Sequence, residues 1–162
     1  MDQSFSFMNV LVLLLFLAVM AWTSFTDIRS RIIPNAVIFP AIAIIIIIRL
    51  FHHPFGFAYY FAWGLLPAVL MLVASLLTKL KGFGAGDIKL MLFIGLALGG
   101  FGGFAAFVLG GMLSFLYNSA RFVLFKKNMM ESVRVAPFLF AGSLLWYLSP
   151  MWLVPLVERI FE

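Results

Sequence analysis

The chain has 162 residues and no cysteine. Disulfides, cysteine-ligated zinc and thiol catalysis are therefore excluded. Charge is scarce as well: 10% of the residues are Asp, Glu, Lys or Arg, whereas 65% are hydrophobic. A soluble domain is about 25% charged and about 45–50% apolar. A chain with so little polar surface cannot fold as a water-soluble globule. Six acidic residues stand against eleven basic ones, for a net charge of +5 and a pI near 9.9. Nucleic-acid binding is one source of such an excess. Cationic loops on the cytoplasmic side of a membrane protein explain it more simply, so no nucleic-acid partner is expected.

What is abundant is apolar sequence, with a mean hydropathy of +1.15. It falls into six runs: residues 7–25, 36–50, 57–77, 88–98, 104–125 and 135–157. A membrane helix takes about 20 residues, so six would use about 120 and leave about 40 for loops and termini. The expectation is an all-α integral membrane protein. It forms a single domain over residues 1–162, built as a six-transmembrane-helix bundle. The first run is long and lacks a basic leading segment, so it reads as a retained span rather than a signal peptide. Pro40, Pro67 and Pro150 lie in or near the runs, which membrane helices tolerate.

Run four is too short to span comfortably, and charge placement tests it. Arg29 and Arg31 follow run one. Lys79, Lys81 and Lys89 bracket the gap after run three. Arg121, Lys126, Lys127 and Arg134 surround the gap after run five. Basic residues at span ends mark the cytoplasmic side. The three clusters share that side only if run four crosses, either in a thinned bilayer or extended into the glycine-rich residues 99–103. Both termini then lie outside. The alternative is five spans with a re-entrant loop. Trp63, Trp146 and Trp152 suit interfacial anchoring, and Gly110, Gly111 and the 99–103 segment suit close helix packing. His52 and His53 lie in a short outer loop with no third ligand beside them, so no metal site is expected, and no cofactor.

Of the six acids, Asp2, Glu131, Glu158 and Glu162 lie at the termini or in a basic loop. Asp27 and Asp87 differ: one follows run one, the other opens run four, and both fall at the cytoplasmic edge of the bilayer. An ionisable group at that boundary is costly and so suggests function. Each alone also fits a local ion pair, Asp27 with Arg29 or Arg31 and Asp87 with Lys89. Together they suggest more. Two carboxylates about 3 Å apart share one proton. The ionised member can take a proton from water while the protonated one polarises a carbonyl, which hydrolyses a peptide without cofactor or metal. Asp87 ends Gly84-Ala85-Gly86-Asp87, where glycines allow another segment to approach closely.

Two motifs give the chain its resemblance to a family. Asp27-Ile28-Arg29-Ser30-Arg31-Ile32-Ile33-Pro34-Asn35 resembles the Asp-x-Arg-x-x-x-Ile-Pro-Asn stretch of the type IV prepilin peptidases. Gly84-Ala85-Gly86-Asp87-Ile88-Lys89-Leu90 resembles their Gly-x-Gly-Asp-x-Lys-Leu. Arg134-Val135-Ala136-Pro137-Phe138-Leu139 is similar to the Pro-Phe element that opens their last helix. The resemblance implies an intramembrane aspartic endopeptidase with catalytic Asp27 and Asp87, supported by Arg29, Pro34, Asn35, Gly84, Gly86, Lys89 and Pro137. It implies substrates as well: prepilins or pilin-like precursors, cut between a short basic leader and an apolar helix at the cytoplasmic face of a bacterial membrane. Longer members methylate the new N-terminus and carry paired Cys-x-x-Cys motifs. Without cysteines, this chain resembles the short, peptidase-only members. Arg29, Arg31 and Lys89 also serve as plain topology markers or as contacts to lipid phosphates. The rivals are a small transporter or assembly subunit, and a presenilin-like protease. A transporter would place ionisable groups near the bilayer midplane between repeated halves.

Overall fold

A computed structural model describes residues 3–52, 56–77, 84–125 and 135–161, which form six helices. They are α1 (Gln3–Ser30), α2 (Asn35–Phe51), α3 (Phe57–Leu77), α4 (Ala85–Leu98), α5 (Gly100–Phe125) and α6 (Ala136–Phe161). Among the described residues there is no strand. Asp2, His53, Pro54, Lys79, Lys81, Lys126, Lys127, Glu131, Arg134 and Glu162 lie outside the described residues. Three helical stretches are long and apolar enough to cross a membrane: Met8–Ser30, Phe57–Leu77 and Phe101–Arg121. Asn35–Phe51 and Ala136–Leu148 are shorter apolar helices.

The shortness of α4 follows from its position. With 14 residues it is about 21 Å long, less than the ~30 Å of a hydrocarbon core. It is not a lipid-facing element, because α1, α2, α3, α5 and α6 all pack against it. The order round it is α2, α1, α6, α5, α3. Leu90, Met91, Phe93 and Ile94 are fully buried, and Phe93 stacks on Phe16 of α1 with ring centroids 5.9 Å apart. The surrounding helices turn Leu14, Ile47, Leu72 and Phe115 outward. A helix enclosed by protein has no lipid thickness to match.

Run four does not extend into the glycine-rich segment. Gly99 adopts φ +62° and its N–H donates to the Gly95 carbonyl at 2.8 Å, which ends α4. The chain reverses there and Gly100 opens α5. Tyr60 fills the space beside Gly99 that a Cβ would need. Trp63 and Trp146 pack on other aromatic rings. Trp63 packs edge-on against Phe101 and Phe104, and Trp146 against Phe101, so both belong to one aromatic cluster between helices. The side chain of Trp152 lies outside the described residues.

Helix packing rests on glycines at crossings. A Cβ on Gly95 would sit 1.8 Å from the Gly64 carbonyl oxygen, and one on Gly103 would sit 2.7 Å from the Gly95 Cα. Backbones of α3, α4 and α5 therefore meet at one point, as small residues allow in membranes. Gly110 and Gly142 bring α5 and α6 together in the same way. Gly111, expected to pack, has open space beside it. Gly95→Ala should therefore destabilise the protein by at least the ~1–3 kcal/mol of an over-packed core, measured as a fall in thermal midpoint in detergent. Gly111→Ala should raise it, since removing a mid-helix glycine gains roughly 0.5–1 kcal/mol.

Candidate active site

α1 runs five residues past the end of the first apolar run, through Thr26, Asp27 and Ser30. Its last turns are rich in hydroxyls that bond back to their own helix: Thr26 donates to the Thr23 carbonyl at 3.0 Å and Ser30 to the Thr26 carbonyl at 2.8 Å. Asp27 is therefore inside the final helical turn rather than beyond it, and it is 7% exposed. Arg31 then adopts φ +56° while its N–H donates to the Asp27 carbonyl at 3.0 Å. A left-handed residue at this place ends a helix and turns the chain.

Pro34 opens α2. Its backbone is extended, and its carbonyl accepts from the N–H groups of Val37 and Ile38 at 3.1 and 3.2 Å. Asn35 is the first helical residue. Proline and asparagine thus set the turn between the first two helices.

Asp87 is the third residue of α4, and Gly84 precedes the helix. The Gly84 N–H donates to the Asp87 Oδ2 at 3.1 Å, while the Asp87 N–H donates to the Gly84 carbonyl at 3.1 Å. This is half of a capping box: the acid reaches back, and glycine has no side chain to return the bond. The bond fixes the carboxyl at the helix start, where amide dipoles favour an anion.

The two motifs meet. A Cβ on Gly86 would lie 3.2 Å from the Ile33 Cβ, so the missing side chain is what lets the α1–α2 turn rest on the start of α4. Lys89 Nζ donates to Asn35 Oδ1 at 3.0 Å and lies 5.0 Å from the centre of the Phe39 ring. Lys89 is thus tied to the first motif. The Asp27 and Asp87 carboxyls are close enough to interact electrostatically. Of the expected residues, Asp27, Pro34, Asn35, Gly84, Gly86, Asp87 and Lys89 form one end of the bundle. Arg29, two residues on from Asp27 in the same helix, is exposed. Pro137 is the second residue of α6, where a missing N–H costs nothing.

Sequence reasoning passed over several residues. Ser24 lies one turn before Asp27 and on the same face; its Oγ is buried with no hydrogen-bond partner among the described residues. At the opposite end of the bundle, Arg49 is 5% exposed. It donates from Nη1 to Asn9 Oδ1 at 2.7 Å and to the His52 carbonyl at 3.3 Å, and from Nη2 to the Ala97 carbonyl at 3.1 Å. Among the described residues, no group of three His, Cys, Asp or Glu side chains is placed to hold a metal ion.

Six apolar helices, with Asp27 at the end of α1 within electrostatic reach of Asp87 at the start of α4, define a multi-pass membrane protein with two acids at one end. The chain belongs to the type IV leader peptidase family, whose sequence profile matches residues 12–130. The matched stretch takes in both acids and ends before Pro137. No curated protein and no solved structure matches the chain. Membership makes the protein a leader peptidase-like protease.

The contact between the motifs can be tested without background, because the chain has no cysteine. Disulfides join Cβ atoms about 3.5–4.5 Å apart. The Ile33→Cys/Gly86→Cys double variant should therefore cross-link under mild oxidation within one chain, read by mass spectrometry. A pair that stays reduced would place the two motifs apart.

Proposed function

We propose that this protein is an aspartic endopeptidase that removes the short basic leader from type IV prepilins or related pilin-like precursors. Its setting is a bacterial cytoplasmic membrane, crossed six times, with the active site at the cytoplasmic face. The observation that carries the reading is that Asp27 and Asp87 lie within electrostatic reach of each other at one end of an apolar bundle, each in a motif that resembles those of the prepilin peptidases.

The chemistry needs one proton shared between two carboxyls. The ionised carboxylate takes a proton from a water molecule as the water oxygen attacks the scissile carbonyl carbon. The protonated carboxyl gives its proton to the carbonyl oxygen, and a tetrahedral diol forms. Proton transfer to the amide nitrogen then lets the C–N bond break, releasing a leader with a new carboxyl terminus and a pilin with a new amine. The water supply favours this end of the bundle, since the headgroup boundary is wet and the bilayer centre is not. A substrate whose apolar helix lies in the membrane would present its leader junction at the same depth. Lys89, held by Asn35, and the exposed Arg29 lie where lipid phosphates would be met. Arg29, Pro34, Asn35, Gly84, Gly86, Lys89 and Pro137 act as supports of the site. Methyl transfer is not part of the proposed activity.

Asp27→Asn and Asp87→Asn should each lower leader removal from a purified prepilin by about 10²–10⁴-fold or more, the range of a lost acid–base group. Mass spectrometry reads the cleavage, and unchanged helical circular dichroism shows that the variants fold. The intact enzyme should have a bell-shaped pH–rate profile, because activity requires one proton on the pair rather than none or two. Full activity in either variant would overturn the mechanism. Cleavage inside the apolar segment, rather than at the basic junction, would mark a presenilin-like protease.

A further inference from the structure

The polar cluster opposite the paired acids is expensive to bury and takes no part in the proposed chemistry. A guanidinium within an apolar bundle carries a large desolvation cost. Arg49 offsets it with bonds to three other segments: Asn9 of α1, the His52 carbonyl beyond α2, and the Ala97 carbonyl of α4. It also lies 5.6 Å from the centre of the Tyr60 ring, a cation–π distance. Tyr60 is fully buried, and its hydroxyl donates to the Leu96 carbonyl.

Leu96 and Ala97 belong to the last turn of α4, whose carbonyls have no partners within the helix. The Gly99 N–H takes the Gly95 carbonyl. Tyr60 and Arg49 take the next two. The cation also sits at the negative end of the helix dipole, the favourable place for it. The C-terminal end of α4 is thus held by α2 and α3, and through Asn9 by α1. From Ala97 back to Asp87 is ten residues, about 15 Å of rigid helix. A displacement of α4 along its axis at one end is a displacement of Asp87 at the other.

We propose that Arg49 and Tyr60 are positioning residues that clamp the far end of α4 and so set the axial place of Asp87 opposite Asp27. The proposal rests on the leader-peptidase reading for its catalytic consequence, but the clamp itself can be measured without substrate. The Ile33→Cys/Gly86→Cys pair reports where α4 starts relative to the α1–α2 turn. In that background, Arg49→Met and Tyr60→Phe should each slow disulfide formation in the folded protein. Arg49→Lys, which keeps a cation at the helix end, should restore part of the rate. In the cysteine-free chain reconstituted in lipid nanodiscs, Arg49→Met should lower kcat for prepilin cleavage by up to about a hundredfold, the cost of roughly an ångström of misplacement. KM should stay near its starting value, because the leader is not bound at that end. Tyr60→Phe removes one hydroxyl and should give a smaller fall of the same kind.

Unchanged cross-linking and unchanged kcat in both variants would overturn the proposal. So would a loss of activity that merely tracks the loss of folded protein, with normal cross-linking in what remains folded. If the clamp variants slow cross-linking but the unaltered enzyme cleaves no prepilin, the clamp is supported and the reading of function fails.

Discussion

A helix packed against five other apolar helices still has polar ends. Its first amides and last carbonyls find no partner within the helix, and no lipid tail can supply one. Each buried group left unsatisfied costs about 1–3 kcal/mol. α4 is such a helix, and much of the molecule is arranged round its two ends. At the start, Asp87 takes the Gly84 amide. At the finish, Gly99, Tyr60 and Arg49 take the carbonyls of Gly95, Leu96 and Ala97. The start of α4 is exposed and the finish is buried, so the requirement bears on the finish, while a carboxylate at the start and a guanidinium at the finish both accord with the helix dipole. The acid that caps α4 is also the acid within electrostatic reach of Asp27.

Placing a helix at the centre of five others demands close approach, and apolar attraction between helices gives no help where lipid is equally apolar. Contact has to come from van der Waals packing of backbones. Gly64, Gly95 and Gly103 allow α3, α4 and α5 to touch at backbone distance. The phenylalanines and tryptophans of α3, α5 and α6 fill the wider gaps around that point. Gly86 serves the same end near the acids, where Ile33 lies against it. The spacing of Asp27 from Asp87 thus depends on glycines as much as on the acids themselves.

The sequence makes some of this legible and not the rest, for physical reasons. All six helices are readable because apolar runs of such length have no other stable form in a membrane. Both acids stand out because charge is rare and their flanking motifs are specific. α1 outlasts its apolar run because the hydroxyls of Thr26 and Ser30 return to the helix carbonyls, which hydropathy does not register. Gly99 is misjudged because a run of glycines permits continuation and reversal alike; Tyr60 packed beside it decides the matter. The central place of α4 has no local signature, since length and hydropathy do not tell a helix enclosed by protein from one too short to span. Arg49 is overlooked because an arginine near a helix end ordinarily snorkels to the interface, and only the fold reveals that Asn9, Ala97 and Tyr60 surround it.

The direction of the helices carries a further consequence. Asp27 closes α1 and Asp87 opens α4. For these two ends to meet, the chain between them must leave that end of the bundle and come back to it. α2 and α3 do so: Asn35, at the start of α2, touches Lys89 near the acids, whereas Arg49, near the end of α2, and Tyr60, near the start of α3, touch the far end of α4. α4 then leads away from the acids again, since its own ends bear Asp87 and Ala97. Three consecutive helices therefore alternate in direction on contacts alone. The basic residues imply the same parity from a separate principle, the preference of lysine and arginine for one side of a membrane. Contacts put Asp27 and Asp87 at one end of the bundle, and on the proposed reading that end is the one where a hydrolase embedded in lipid would find water.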